Sequence, residues 1–144
     1  MSHAPARKLL FACTLNAVRS VMAARLWQAR TGQFAQSCGV MAGPPDGFAA
    51  TILAEKGLDI SDHESCDFAS LDPAGYDLVI TMSEEARLAA ADWAEKGTEL
   101  RHWTVGEPGG GESSREQILA GYRQVCERIA THLAELAAEQ GENP

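Results

Sequence analysis

Two short, mostly apolar runs constrain the fold of this chain more than any other feature: "KLLFA" at residues 8–12 and "YDLVITM" at residues 76–82. The first reads as a short buried strand, and the second, rich in β-branched residues, is the clearest strand in the chain. Each is followed by a helical pattern. "SVMAARLWQAR", with Ser20 near its N-cap, runs up to Gly32, and Ser83 caps a helix that carries Glu84 and Glu85 in the first turn, where the helix dipole favours acids. "FAQSCGV" (34–40) and "ELRHWTV" (99–105) predict two further strands. "GPPDG" is a turn into a helix through Phe48, Ile52 and Leu53 that stops at Gly57. Ser113 and Glu116 have capping-box spacing and open a long last helix, whose apolar face is Ile118, Tyr122, Val125, Ile129, Leu133 and Leu136. Strands alternating with helices predict an α/β three-layer sandwich: a mainly parallel sheet with helices on both faces. Ligands of such folds bind beyond the carboxyl ends of the strands. Cys13, Met82 and Glu107 all fall just past predicted strand ends, so one rim should hold them.

The 144 residues predict one domain, 1–144, and 45% apolar content is ample for its core. A net charge of −8 argues against a nucleic-acid or anionic-membrane surface, although a local basic spot can still bind an anion. No apolar stretch approaches the roughly 20 residues that cross a bilayer. The first residues, "MSHAPARK", lead into too short an apolar run for a signal peptide. A cytoplasmic protein is expected. Cys13, Cys38, Cys66 and Cys126 have no metal-ligand spacing, so reduced thiols are expected and neither a metal nor a cofactor.

The segment "CTLNAVRS" joins the first strand to the first helix. A loop of this length can turn its successive backbone N–H groups inward, and with the helix N-terminus behind it such a nest binds a tetrahedral oxyanion. The loop residues Thr14, Leu15, Asn16, Ala17, Val18 and Arg19 are therefore candidate phosphate ligands. Arg19 adds a planar fork able to grip two oxygens. Cys13, at the mouth, feels the same positive field, which favours its thiolate. Ser20 can donate to that sulfur, and Asn16 can brace the loop.

On these residues the chain resembles the low-molecular-weight protein tyrosine phosphatase family. That family opens with an apolar strand, Cys-x-Gly-Asn-x-x-Arg-Ser, and a Pro-Met-Ala-Glu-like helix start. Cys13, Asn16, Arg19, Ser20, Met22 and Ala23 stand in register with it. "GLDISDHES", "YDLVITMS" and "HWTVGEP" are similar to later family segments, so the resemblance spans almost the whole chain. It implies a four-stranded parallel sheet with a phosphate-binding loop after the first strand. It also implies hydrolysis of a phosphomonoester, on a protein or a small molecule, through a phosphocysteine on Cys13. The family's general acid is the aspartate of an Asp-Pro pair, and Glu107 before Pro108 occupies that place. Departures mark an atypical member. Leu15 stands where the family has glycine. Val18 replaces a frequent cysteine, which removes the family's protective loop disulfide, and Val21 replaces a proline. "EPGGG" lacks the aromatic residues that flank a phosphotyrosine ring. Ala17, where many members carry a larger aliphatic, leaves room for another leaving group, phosphoarginine included.

Two rival readings follow. Thioredoxin-coupled arsenate reductases share this fold but need two further cysteines just after the third strand, and residues 77–93 contain none. Cys66 is the one candidate resolving thiol, with an inert loop thiol the plainer reading. Alternatively, the altered loop binds an oxyanion or a phosphorylated partner without turnover. His63 is expected to brace a loop rather than bind metal, His102 to be structural, and Trp93 and Trp103 to lie in the core.

Overall fold

A computed structural model describes residues 7–108 and 114–141. Strand β1 (Leu9–Cys13) is followed by α1 (Arg19–Thr31), β2 (Ala35–Gly39) and α2 (Gly47–Glu55). After two single 3-10 turns come β3 (Leu78–Thr81), α3 (Glu84–Glu95), β4 (Glu99–His102) and α4 (Arg115–Glu139). The four strands form one sheet in the order β2-β1-β3-β4. Every pair is parallel, with Leu9 opposite both Ala35 and Leu78, and Leu78 opposite Glu99. The expected α/β architecture is present.

Because successive side chains of a strand point to opposite faces, β1 and β3 feed two cores. Leu9, Phe11, Leu78 and Ile80 pack against α1, α2 and α4 through Met22, Trp27, Ile52, Leu53, Ile129 and Leu133. Leu10, Ala12, Cys38 and Val79 pack on the other face against Ala86, Ala90 and Trp93 of α3. Each such fully buried side chain contributes about 1.5–3 kcal/mol, so helices on both faces are obligatory for strands this apolar. Edge strand β4 carries Glu99 and Arg101, which pair with Arg7, with each other and with Glu139. Charged edges of this kind discourage pairing with another sheet.

Strand β1 has the predicted length, shifted one residue on, while β2, β3 and β4 are shorter than the predicted runs. Phe34 precedes β2 and is exposed, while Trp103 leaves the sheet after β4 and packs on Phe11 and against His132 with ring centroids 4.8 Å apart. Trp93 packs on Phe68 and Tyr76. Both tryptophans are core residues, as expected. Helix α4 is capped one residue later than its spacing suggests: Ser114 and Gln117 form the capping box, and Ser113 lies outside the described residues. Its buried face includes Val125, Ile129, Leu133 and Leu136, with Leu119 and Cys126 added; Ile118 and Tyr122 are half-buried. Among the described residues no helix is long and apolar enough to cross a membrane.

Helix starts separate into two kinds. Asp46, Ser83 and Ser114 cap α2, α3 and α4 with their side chains. Helix α1 starts at Arg19 with Val18 at the cap and no side-chain cap. Ser20, expected near that cap, lies inside the helix and its hydroxyl turns to other partners.

Candidate active site

The uncapped start of α1 faces the carboxyl end of the sheet, and residues 14–18 arch over it. The carbonyls of Cys13, Thr14, Leu15, Asn16 and Val18 are each tied to a donor. Val40 N donates to Cys13 O (3.2 Å), Met41 N to Thr14 O (3.0 Å) and Gly43 N to Leu15 O (2.8 Å). His63 Nε2 (2.9 Å) and Ser65 Oγ (3.2 Å) both donate to Asn16 O, and Met22 N donates to Val18 O (2.9 Å). A peptide whose carbonyl points outward turns its neighbouring N–H inward. Among the described residues, none of the amides from Thr14 to Val18 is given to another group of the protein. With the helix dipole behind them, these amides form a concavity for an anion.

Asn16 sets the arch. It is fully buried and has φ 55°, a left-handed backbone that Asn tolerates better than most residues. Its Oδ1 accepts from Cys66 N (3.0 Å) and its Nδ2 donates to Ser20 Oγ (2.9 Å). Ser20 Oγ lies 3.0 Å from Cys13 Sγ. Since that hydroxyl already accepts from Asn16, its own hydrogen is free to point at sulfur. Asn16 O can only accept, so His63 carries its proton on Nε2. The loop-bracing expectation for His63 is met.

Leu15 does not occupy the left-handed position, so the loop does not require glycine there. The close approach lies at the facing segment. A Cβ on Gly43 would stand 2.8 Å from Leu15 Cβ, and one on Gly39 would meet Met41 O, Asn16 N and Thr14 O at 2.5–2.8 Å.

Cys13, Thr14, Leu15, Ala17, Val18, Arg19 and Glu107 line one cavity of about 310 Å³, together with Asp46, Pro108 and Tyr122. Asn16 and Ser20 stand behind it. Arg19 Nη1 donates to Met82 O at 2.8 Å, which aims the guanidinium, and Arg19 Nη2 lies 3.7 Å from Glu107 Oε1. The predicted rim of Cys13, Met82 and Glu107 is thus assembled around one arginine. The Glu107 side chain is 80% exposed.

Two further residues, Asp46 and Tyr122, line the same cavity, and the sequence pattern places Tyr122 only on the apolar face of the last helix. Asp46 Oδ1 accepts from Phe48 N (2.9 Å) and Ala49 N (3.0 Å), and Tyr122 Oη donates to Asp46 Oδ2 at 2.8 Å. Burial and the Asp46 carboxylate push the Tyr122 phenol up to about 12. Asp46 has both oxygens engaged as acceptors, which leaves Glu107 the freer carboxylate.

The other thiols sit elsewhere. Cys38 and Cys126 are core, and Cys66 donates from Sγ to Ser37 O (3.2 Å). Burial pushes all three thiols up, which holds them protonated. His102 Nδ1 lies 2.7 Å from Thr81 Oγ1 and joins β3 to β4. Glu84 and Glu85 are exposed; Glu84 pairs with Arg87, and Glu85 accepts weakly from Thr14 Oγ1 (3.4 Å).

The chain matches the low molecular weight phosphotyrosine protein phosphatase family over residues 8–143. A comparison with curated proteins returned no match. Among solved structures it is similar to the low molecular weight protein tyrosine phosphatase from T. tengcongensis, with 26% identity, a TM-score of 0.72, and 93% of this chain and 99% of that one covered. It is similar to an arsenate reductase from Archaeoglobus fulgidus, with 26% identity, a TM-score of 0.71, and coverage of 94% and 100%. The YwlE arginine phosphatase from Geobacillus stearothermophilus shares the fold, at 24% identity, a TM-score of 0.69, and coverage of 96% and 98%.

Proposed function

The chain belongs to the low molecular weight phosphotyrosine protein phosphatase family, and from that premise we propose that it hydrolyses phosphomonoesters through a phosphocysteine. One observation carries the reading: Cys13 Sγ sits 3.0 Å from a serine hydroxyl at the mouth of a loop whose amides point inward, with Arg19 across the cavity.

The Cys13 thiolate attacks phosphorus, forming S–P as the bond to the leaving oxygen breaks. The loop amides of residues 14–18 and the Arg19 fork hold the equatorial oxygens as their charge develops. Glu107, protonated at that moment, gives its proton to the leaving oxygen. It then takes a proton from water as that water attacks phosphorus. S–P breaks, inorganic phosphate leaves, and the Ser20 hydroxyl stabilises the departing thiolate. Met82 O keeps the Arg19 fork aimed, and Asn16 keeps Ser20 in place. No cofactor is needed for this cycle. The substrate is a phosphorylated protein or a small phosphomonoester, and the whole chain works as one domain. Four cysteines without small-scaffold disulfide spacing suit the cytoplasm, which is the proposed location.

The arsenate-reductase alternative needs a relay of thiols. Residues 77–93 supply none, and Cys66 hydrogen-bonds to Ser37 O on the outer side of the loop. Purified protein should hydrolyse p-nitrophenyl phosphate, and Cys13→Ser should abolish the turnover. Arsenate-dependent oxidation of thioredoxin in place of hydrolysis would shift the reading to a reductase. Tight phosphate binding with neither activity would leave a binding module.

A further inference from the structure

Beside the cavity at Cys13 lies a larger one of about 460 Å³, and the two share Ala17 and Asp46. Its walls are apolar: Ala50 and Ala54 of α2 on one side, Leu58 and Ile60 on the other. Volumes of this size are typical of ligand sites. The polar groups at its edge are already partnered within the protein. Asp46 is occupied as described, Asp59 accepts from Ser61 N at 2.9 Å, and His63 Nε2 is held by Asn16 O. What the second cavity offers an occupant is apolar surface to bury, with few free hydrogen bonds. Ala17 is 9% exposed and stands at the junction. Its single methyl group leaves the two cavities side by side, whereas a bulkier side chain there would take up space between them.

We infer that the second cavity is a specificity subsite that receives an apolar side chain of a phosphorylated polypeptide, from a residue neighbouring the one whose phosphoryl group reaches Cys13. The inference rests on the phosphatase reading and narrows its substrate class. A small phosphomonoester fills the first cavity and has nothing to extend past Ala17. An extended polypeptide places its neighbouring side chains a few ångströms along, on alternating sides, so one of them can drop into the adjoining hollow. Continuity with the anion site favours this occupant over a second copy of the chain, which would have no reason to meet the phosphate cavity at Ala17.

The test compares p-nitrophenyl phosphate with phosphotyrosyl peptides that differ only in carrying Leu or Ser at the positions flanking the phosphorylated residue. Wild-type protein should favour a Leu peptide by about tenfold in kcat/KM, the scale on which apolar pockets discriminate. Ala50→Phe and Ala54→Trp, which fill the hollow from α2, should erase that preference while p-nitrophenyl phosphate turnover stays within about twofold. Ala54 is exposed, so its replacement does not threaten the fold. Equal rates for Leu and Ser peptides, or a preference that survives both substitutions, would overturn the inference. If neither class of substrate is hydrolysed, the phosphatase reading fails on its own. Peptide affinity for Cys13→Ser, read by fluorescence anisotropy, then decides the subsite by the same criterion. A change in oligomeric state on filling the hollow, with peptide preference intact, would make it a self-interface and overturn the inference.

Discussion

Asn16→Ala is the sharpest perturbation the structure suggests, because one buried side chain holds the loop, the serine and the flanking strap together. Removing the carboxamide deletes the bond to Ser20 Oγ, worth about 1 kcal/mol. It also leaves the Cys66 N–H without its acceptor, at a cost of about 1–3 kcal/mol. The left-handed backbone at φ 55° adds about 1 kcal/mol when alanine must adopt it. Together these give a loss of about 3–5 kcal/mol, measurable from urea unfolding. Turnover should fall about 100-fold in kcat/KM, since a loop displaced by an ångström misplaces both sulfur and amides. Asn16→Gly separates the causes: it loses both hydrogen bonds but accepts the backbone, so it should be about 1 kcal/mol more stable than Asn16→Ala. Asn16→Asp keeps an acceptor for Cys66 but loses the donor to Ser20 and sets a negative charge behind the sulfur. Its phosphate affinity should suffer more than its stability. If Asn16→Ala costs less than about 1 kcal/mol and leaves phosphate affinity intact, the bracing argument is wrong.

Glu107→Gln should lower turnover by about 100-fold or more while inhibition by inorganic phosphate is nearly unchanged; full activity would transfer the proton role to another group. Gly39→Ala should destabilise the protein by about 3 kcal/mol and weaken phosphate binding, since every clash of the added methyl is with backbone of the loop and its neighbour. Unchanged thermal and phosphate-binding curves would contradict it. For Tyr122 the folded value of about 12 lies above the ordinary phenol value of about 10. Its contribution to stability is therefore fully present below pH 10 and is lost as pH rises toward 12. An ultraviolet titration of wild type and Tyr122→Phe should show the missing phenolate titrating in that upper range, and a midpoint at the ordinary value would refute the Asp46 contact.

Much of the site was legible because its chemistry is local. Cys13 through Ser20 are contiguous, and a strand that must end where a helix begins puts the sulfur, the amides and the arginine in one place. The caps Ser83 and the acidic first turn of α3 were legible for the same reason. Ser20 was expected both near the helix cap and as a donor to the Cys13 sulfur, and the structure keeps the second role although serine at a helix start normally serves the backbone. Here its hydroxyl is taken by Cys13 and Asn16, and the helix start stays open to bind an anion. A broken local rule at α1, against three helices that obey it, marks the functional end of the sheet.

Sequence alone determined the alternation of buried strands and helices, because apolar runs this short can only be covered by helices on both faces. It also determined the Cys13-to-Arg19 loop, whose spacing is a property of consecutive residues. Tertiary structure decided what meets that loop from afar. Tyr122 reaches Asp46 across 76 positions, His63 and Cys66 reach Asn16 across 47 and 50, and Met82 O aims Arg19 across 63. Pairings of that separation depend on strand order and helix packing, which no periodicity encodes. The reach of Glu107 to within 3.7 Å of Arg19 and the hollow behind Ala17 likewise exist only once the chain has closed on itself.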